Sequence, residues 1–137
     1  MGNIVKHLVD SDVLIHLDRT RSGALVERFA RNQGDLMLSP IVASELLYGA
    51  EKSRQPELVR ANVMNLFALL EPLDFSVRDA AHVADIRAHL HRTGQMIGPN
   101  DLLIAGQARC RGMVLVTNNT REFARVPGLR FENWLES

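Results

Sequence analysis

Ile97-Gly-Pro-Asn-Asp-Leu-Leu-Ile-Ala-Gly-Gln-Ala108 decides how the rest of the chain is read. Gly98 permits a tight turn and Pro99 suits the first position of a helix, so Asp101 falls in the opening turn. On that helix Asp101 shares a face with Ile104 and Ala105, three and four residues on, and a carboxylate is turned toward apolar surroundings. Burying it unpaired is costly, so a metal, a base or a set of hydrogen bonds is needed to offset it. A second reading is a negative charge placed at the positive end of the helix dipole. Both readings stand on this stretch alone.

Working outward, one pattern recurs: a short apolar run stops and acidic or amide side chains follow. Toward the C-terminus, residues 113–117 form an apolar strand that runs into Asn118-Asn119-Thr120-Arg121-Glu122-Phe123. A turn role also explains the two asparagines. At the N-terminus, residues 4–9 are β-prone and halt at Asp10-Ser11-Asp12, before Val13, Leu14 and Leu17 resume with helical spacing. Ser11 or Asp12 as a cap of that helix is the plain alternative. Ser22 is read as the cap of a second helix carrying Leu25, Val26 and Phe29. Residues 36–38 form another strand, followed by Ser39 as N-cap and Pro40 at the first helical position. This helix carries Glu45 among Ile41, Val42, Tyr48 and Gly49, so a second acid points inward.

The intervening segment reads as scaffold. Pro56 opens a helix with Val59, Val63, Leu66, Phe67 and Leu70 in register, and Pro72 stops it ahead of a strand expected at residues 73–75. Ser76 and Asp79 have capping-box spacing, and the next helix shows Val77, Ala81, Ala84 and Ala88 as a close-packing face before Gly94. His82, His89 and His91 are read as solvated, because residues two apart diverge on a helix and do not form a metal pair. Residues 129–131 are expected as an edge strand, with Trp134 anchoring the C-terminus.

Composition narrows the classes. The 137 residues suit one domain with a core large enough to need no disulfide, and the only cysteine, Cys110, has no partner. The reading is a soluble, cytoplasmic protein without signal peptide or membrane span. Sixteen acids balance sixteen bases, which excludes a global field for polyanions and makes any phosphate footprint local. Fourteen of those bases are Arg, a bias toward bidentate phosphate grip, with GC-rich coding as the competing cause. Arg19, Arg21, Arg87, Arg92 and Arg121 are the candidates.

Strands alternating with helices imply an α/β fold, a parallel sheet with helices on both faces. Asp10, Glu45, Asp101 and the Asn119/Glu122 segment then converge beyond one end of it. Such a cluster without lysines needs shared protons or a cation, and oxygen-only donors suit Mg²⁺ or Mn²⁺. That arrangement fits metal-assisted phosphodiester hydrolysis.

Four stretches together, Leu8-Val-Asp-Ser-Asp12, Ser39-Pro-Ile-Val-Ala-Ser-Glu-Leu-Leu-Tyr-Gly49, Ile97-Gly-Pro-Asn-Asp-Leu-Leu-Ile-Ala105 and Val116-Thr-Asn-Asn-Thr-Arg-Glu-Phe123, resemble the PIN-domain ribonucleases. They are most similar to the VapC toxins of bacterial toxin–antitoxin pairs, in order and along nearly the whole chain. The resemblance implies a three-layer α/β/α sandwich around a short parallel sheet of four to five strands. It further implies a Mg²⁺-dependent endoribonuclease, with Mn²⁺ as substitute, that forms a homodimer and is inhibited by a VapB-type antitoxin whose tail enters the site. Carried over by position, Asp10 and Asp101 are metal ligands and Glu45 completes an acidic triad. Asn119 stands where many members have a fourth Asp, Glu122 matches a further acidic position and Thr117 a supporting hydroxyl. Similarity to the enterobacterial branch implies tRNA cleavage in the anticodon region of the initiator.

Two departures matter. The first motif usually reads Asp-Thr-Asn, so Asp12 replaces an amide with a charge, and Asn119 leaves a second metal less supported. Two other functions are weighed beside this one. Asp10-Ser-Asp12 also resembles the start of the haloacid-dehalogenase phosphatases, with Asp10 as nucleophile, although Lys6 and Lys52 are poorly spaced for that chemistry. The other is a non-catalytic binding module on the same fold.

Overall fold

The computed structural model describes residues 4–20 and 23–135. Ser22, expected as a cap, and Arg21, a phosphate candidate, lie outside the described residues.

Five short strands, β1 (His7–Val9), β2 (Leu36–Leu38), β3 (Glu71–Pro72), β4 (Val114–Val116) and β5 (Arg130–Glu132), form one sheet in the order β3-β2-β1-β4-β5. Every pairing is parallel. Both β2 and β4 are buried at all three positions, as expected of strands covered on both faces, so their sequences read as apolar runs without alternation. Between them run α1 (Ser11–Thr20), α2 (Ala24–Arg31), α3 (Pro40–Glu51), α4 (Pro56–Phe67), α5 (Val77–Thr93), α6 (Pro99–Cys110) and α7 (Thr120–Phe123). From β1 the chain moves through β2 to β3 on one side, then crosses to β4 and β5 on the other. Right-handed crossovers accordingly assign α1–α4 to one face of the sheet and α5–α7 to the other. The direction reverses between β1 and β4, so their carboxyl ends open a crevice at the switch point. Leu8, Val9, Leu115, Val116, Leu14 and Ile104 fill the core beneath it.

Local chemistry explains the helix starts. Ser39 accepts a hydrogen bond from the Ile41 amide (3.1 Å) ahead of Pro40. The Ser76/Asp79 capping box is complete, and Gly94 ends α5 in the left-handed region at φ 65°. Trp134 packs edge-on against Phe29 and beside His7, and so anchors the C-terminal segment.

Several expectations need correction. The first strand begins at His7 rather than residue 4, since its register with β2 and β4 covers His7–Val9, the Lys6 carbonyl accepts the last bond from β4, and Ile4 is left exposed. The third strand is Glu71–Pro72, two residues before its expected place. A proline is tolerated there because β3 is an edge, and the Leu73 amide still donates to the Leu38 carbonyl (3.0 Å). The last strand, an edge as expected, is displaced by one residue. The largest error concerns α5: Val77 is 87% exposed, and Ala81, Ala84 and Ala88 share its outward face. Helix α5 instead buries Asp79, Ile86 and Leu90. Its close approach to α6 is made by Gly106, where a Cβ would stand 2.2 Å from Val83 Cγ2. Nor is His82 simply solvated: its Nδ1 accepts from Arg109 Nε (3.0 Å), within a clamp that also joins Arg109 to Asp85 and to the Pro127 carbonyl.

Candidate active site

Asp10 follows β1 directly and is 5% exposed, although its side chain is a carboxyl group. Its Oδ1 accepts from the Ser11 amide (2.8 Å) and its Oδ2 from the Thr117 hydroxyl (2.8 Å), which fixes the carboxylate against the end of β4. Burial raises its proton affinity, partly countered by those two bonds. The Thr117 hydroxyl in turn accepts from the Asn119 amide (3.0 Å), so one residue ties the two central strand ends together.

Asp12 lies in the first turn of α1. The cap reading of Asp12 is incomplete: Oδ2 accepts from the Asn118 amide after β4 (3.1 Å), while Oδ1 is buried without a hydrogen-bond partner. Burial, then repulsion from Asp10, pushes its pKa up to about 6 against the opposing pull of the Asn118 and Val13 amides. Glu45 reaches the same place from α3. Its neighbour Tyr48 is 65% exposed, so the inward face of α3 is narrower than the sequence implied. Glu45 Oε1 is buried and unpartnered, and burial followed by the charge of Asp10 raises its pKa despite Asn100 and Ser11 nearby.

Asp101 sits in the first turn of α6, over Ile104 and Ala105, both fully buried. Burial, a hydrogen bond with Glu122 and repulsion from Asp10, Glu122 and Glu45 push its pKa up to about 7. Asn119 Nδ2 donates to Glu122 Oε2 (3.1 Å) and more weakly to Asp101 Oδ2 (3.4 Å).

These side chains line a cleft of about 390 Å³ formed by Asp10, Ser11, Asp12, Glu45, Asp101, Asn118 and Asn119. Of the residues expected at the site, Asp10, Glu45, Asp101 and Asn119 meet there. Glu122 stands behind Asn119 and does not line the cleft. Ser11 and Asp12, read as caps, and Asn118, read as a turn residue, join it; for Asp12 the signal was the charge it puts where the family motif has an amide. Exposed positions are found for Arg19, Arg87, Arg92 and Arg121. A larger groove of about 840 Å³ between α1, α2, α4 and the β2–β3 edge is mostly apolar and holds none of the clustered acids.

Among the described residues no lysine or arginine lines the acidic cleft. The described residues thus offer the phosphatase reading no supporting cation in the cleft, and Lys52 lies over the Tyr48 ring (5.2 Å). Among the described residues no three His, Cys, Asp or Glu side chains are already gathered to enclose an ion. The donor set nonetheless fits a hard divalent cation: it consists of oxygens only, and two of them are buried with no partner.

The PIN-domain family profile matches residues 7–129. Over 131 residues the chain is 43% identical to a Shigella flexneri protein named tRNA(fMet)-specific endonuclease VapC, covering 96% of this chain and 99% of that one. It is 41% identical over 132 residues to ribonuclease VapC2 of Haemophilus influenzae, covering 96% of this chain and all of the other. The crystal structure of DNA-bound VapBC from Salmonella typhimurium contains a chain that superposes with a TM-score of 0.91 at 43% identity, covering 96% and 99% of the two. A TM-score of 0.90 at 30% identity, covering 95% and 99%, relates it to VapBC2 from Rickettsia felis bound to a promoter fragment. A parallel sheet in the order 3-2-1-4-5, an acidic cleft at its switch point and relatives matched end to end agree: the chain belongs to the PIN-domain family, in its VapC ribonuclease branch.

Proposed function

We propose that the chain is a Mg²⁺-dependent endoribonuclease toxin, with Mn²⁺ able to substitute, whose substrate is tRNA and whose activity is held in check by a VapB-type antitoxin. The observation that carries this reading is the cleft itself, which Asp10, Asp12, Glu45 and Asp101 line together with no basic side chain among its described residues. Ribonuclease names among the relatives, and VapBC complexes among the structural neighbours, support it. The relatives named for tRNA(fMet) support initiator tRNA as the substrate to try first.

Asp10 and Asp101, with Glu45, would hold the cation. When bound, it supplies Lewis acidity toward a phosphate oxygen and offsets the repulsion among the acids. The protein's own part is positional. Thr117 and the Ser11 amide lock Asp10, and Asn119 bridges Asp101 to Glu122, so the acids are set before RNA arrives. Glu45 Oε1, free of partners, orients the attacking water in line and accepts its proton as the P–O3′ bond breaks, and the departing 3′-oxygen takes up a proton from solvent. The products are a 5′-phosphate and a 3′-hydroxyl. The chain is read as cytoplasmic and homodimeric in this role; no described helix is long and apolar enough to cross a membrane.

The test is cleavage of end-labelled tRNA by the purified chain with Mg²⁺ or Mn²⁺, compared with Asp10→Asn. Loss of at least ~10²-fold in rate with an unchanged far-UV spectrum is expected. Intact RNA after prolonged incubation of the wild type with Mn²⁺ would leave the binding module as the better account.

A further inference from the structure

We propose that Asp12 is itself a cation ligand, so that this chain presents four carboxylates to its metal rather than the three expected. This rests on the reading of the cleft as a metal site and deepens it. Asp12 lines the same cleft as Asp10, Glu45 and Asp101. Its two oxygens are treated differently. Oδ2 is anchored by the Asn118 amide (3.1 Å), which ties the side chain to the loop after β4 and fixes its orientation. Oδ1 is buried and receives no hydrogen bond.

A carboxylate serving only a helix start would spend its oxygens on the amides there, as Asp79 does on the amide of its N-cap Ser76; Asp12 is engaged more by the distant Asn118 amide than by Val13 of its own helix. Here the oriented group has one buried oxygen without a partner, and the carboxylates of Asp10, Glu45 and Asp101 line the same cleft. An oxygen in that position is stabilised by a cation, and each further anionic ligand raises affinity for hard divalent ions. Position 12 is also suitably connected. It follows Asp10 by two residues at the start of α1, so both are carried on one rigid strand–helix junction.

The experiment measures Mn²⁺ binding by calorimetry and by electron paramagnetic resonance of the free ion, without RNA, for wild type, Asp12→Asn, Asp12→Glu and Asp101→Asn. Asp12→Asn keeps an oxygen for the Asn118 amide and loses only the charge. Asp12→Glu keeps the charge and displaces the carboxylate, which separates a ligand from a mere neighbouring charge. The expected result is that both position-12 variants bind at least ~10-fold more weakly, and Asp101→Asn more weakly still. Unchanged affinity in Asp12→Asn, with binding lost in Asp101→Asn, would overturn the inference and leave the metal site standing. Wild-type affinity in Asp12→Glu would overturn it too, in favour of a through-space effect. If the wild type binds no Mn²⁺, the metal reading falls, and this inference with it.

Discussion

Asp79 and Asp101 occupy the same place in two helices that pack on one another. Each is the third residue of its helix, α5 or α6. The helix dipole favours both alike, yet the fold treats them in opposite ways. Asp79 is fully buried and fully partnered. It accepts from the Ser76 amide (2.8 Å) and hydroxyl (3.1 Å) and from Arg111 through Nε (3.2 Å) and Nη2 (3.0 Å). Burial pushes its pKa up, but Arg111 and Ser76 together hold it below the usual range. Asp101 begins from an N-cap, Gly98, that has no side chain to engage it, and its neighbours are acids. A carboxylate at a helix start is thus a structural element when a cation and a cap are supplied. When both are withheld, its charge is left without a cationic partner among the described residues, which is what the proposed metal site requires.

The largest expected effect tests the structural half of that contrast. Asp79→Ala removes the capping box and leaves the Arg111 guanidinium partly buried without its carboxylate. Chemical denaturation should show a loss of about 3 kcal/mol. A loss near that of an ordinary surface substitution, below about 0.5 kcal/mol, would break the comparison, because Asp79 would then be no more structural than Asp101.

The second effect is pH dependence, where the two acids differ in sign. Asp101, with a folded-state pKa of about 7, and Asp12, with about 6, keep their protons in the folded chain at pH values where the unfolded chain has lost them. Proton binding then favours the fold, and that contribution declines as pH rises from about 4 to about 7. Asp79, held low, contributes fully above about pH 4 and is lost only in more acid solution. Between about pH 5 and 8 the metal-free melting temperature should therefore fall on account of the cleft alone among these acids. His7, whose pKa is lowered chiefly by burial, works the other way near its unfolded value, so the informative quantity is the difference between curves taken in EDTA and in Mg²⁺. A difference that fails to widen with pH would remove the electrostatic account of the cleft.

How much of this was legible follows the same division. Motifs that act within one turn were readable: Ser39 with Pro40, the Ser76/Asp79 box, and the turn that sets Asp101 at the start of α6. So was the convergence of Asp10, Glu45 and Asp101, because strand–helix alternation places strand ends together whatever the loops do. What was lost depends on neighbours distant in sequence. The outward turn of Val77, Ala81, Ala84 and Ala88 is decided by Gly106 admitting Val83 on the opposite side of α5, which the pattern of small residues did not reveal. The edge position that tolerates Pro72 belongs to sheet order, not to the local sequence. Asp12 was half visible. Its place in the first helical turn suits a cap, and only the Asn118 amide, 106 positions away, shows its carboxylate engaged beyond α1 as well.

The smallest effect bears on the other half of the contrast and runs against the usual direction of mutation. Asp101→Asn removes one charge from a group of mutually repelling acids and keeps the shape of the side chain. It also relieves the hydrogen bond with Glu122 of its need for a shared proton. In EDTA at about pH 8, where that cost is greatest, the variant should be more stable than the wild type. Because Asp101 is only half-buried at the mouth of the cleft, solvent screening leaves a gain of about 1 kcal/mol. Addition of Mg²⁺ should reverse the order, since the wild type gains from binding a cation that the variant holds poorly. A variant less stable than wild type in EDTA would mean that Asp101 does for α6 what Asp79 does for α5. The opposition between the two helix starts would then reduce to a difference in burial.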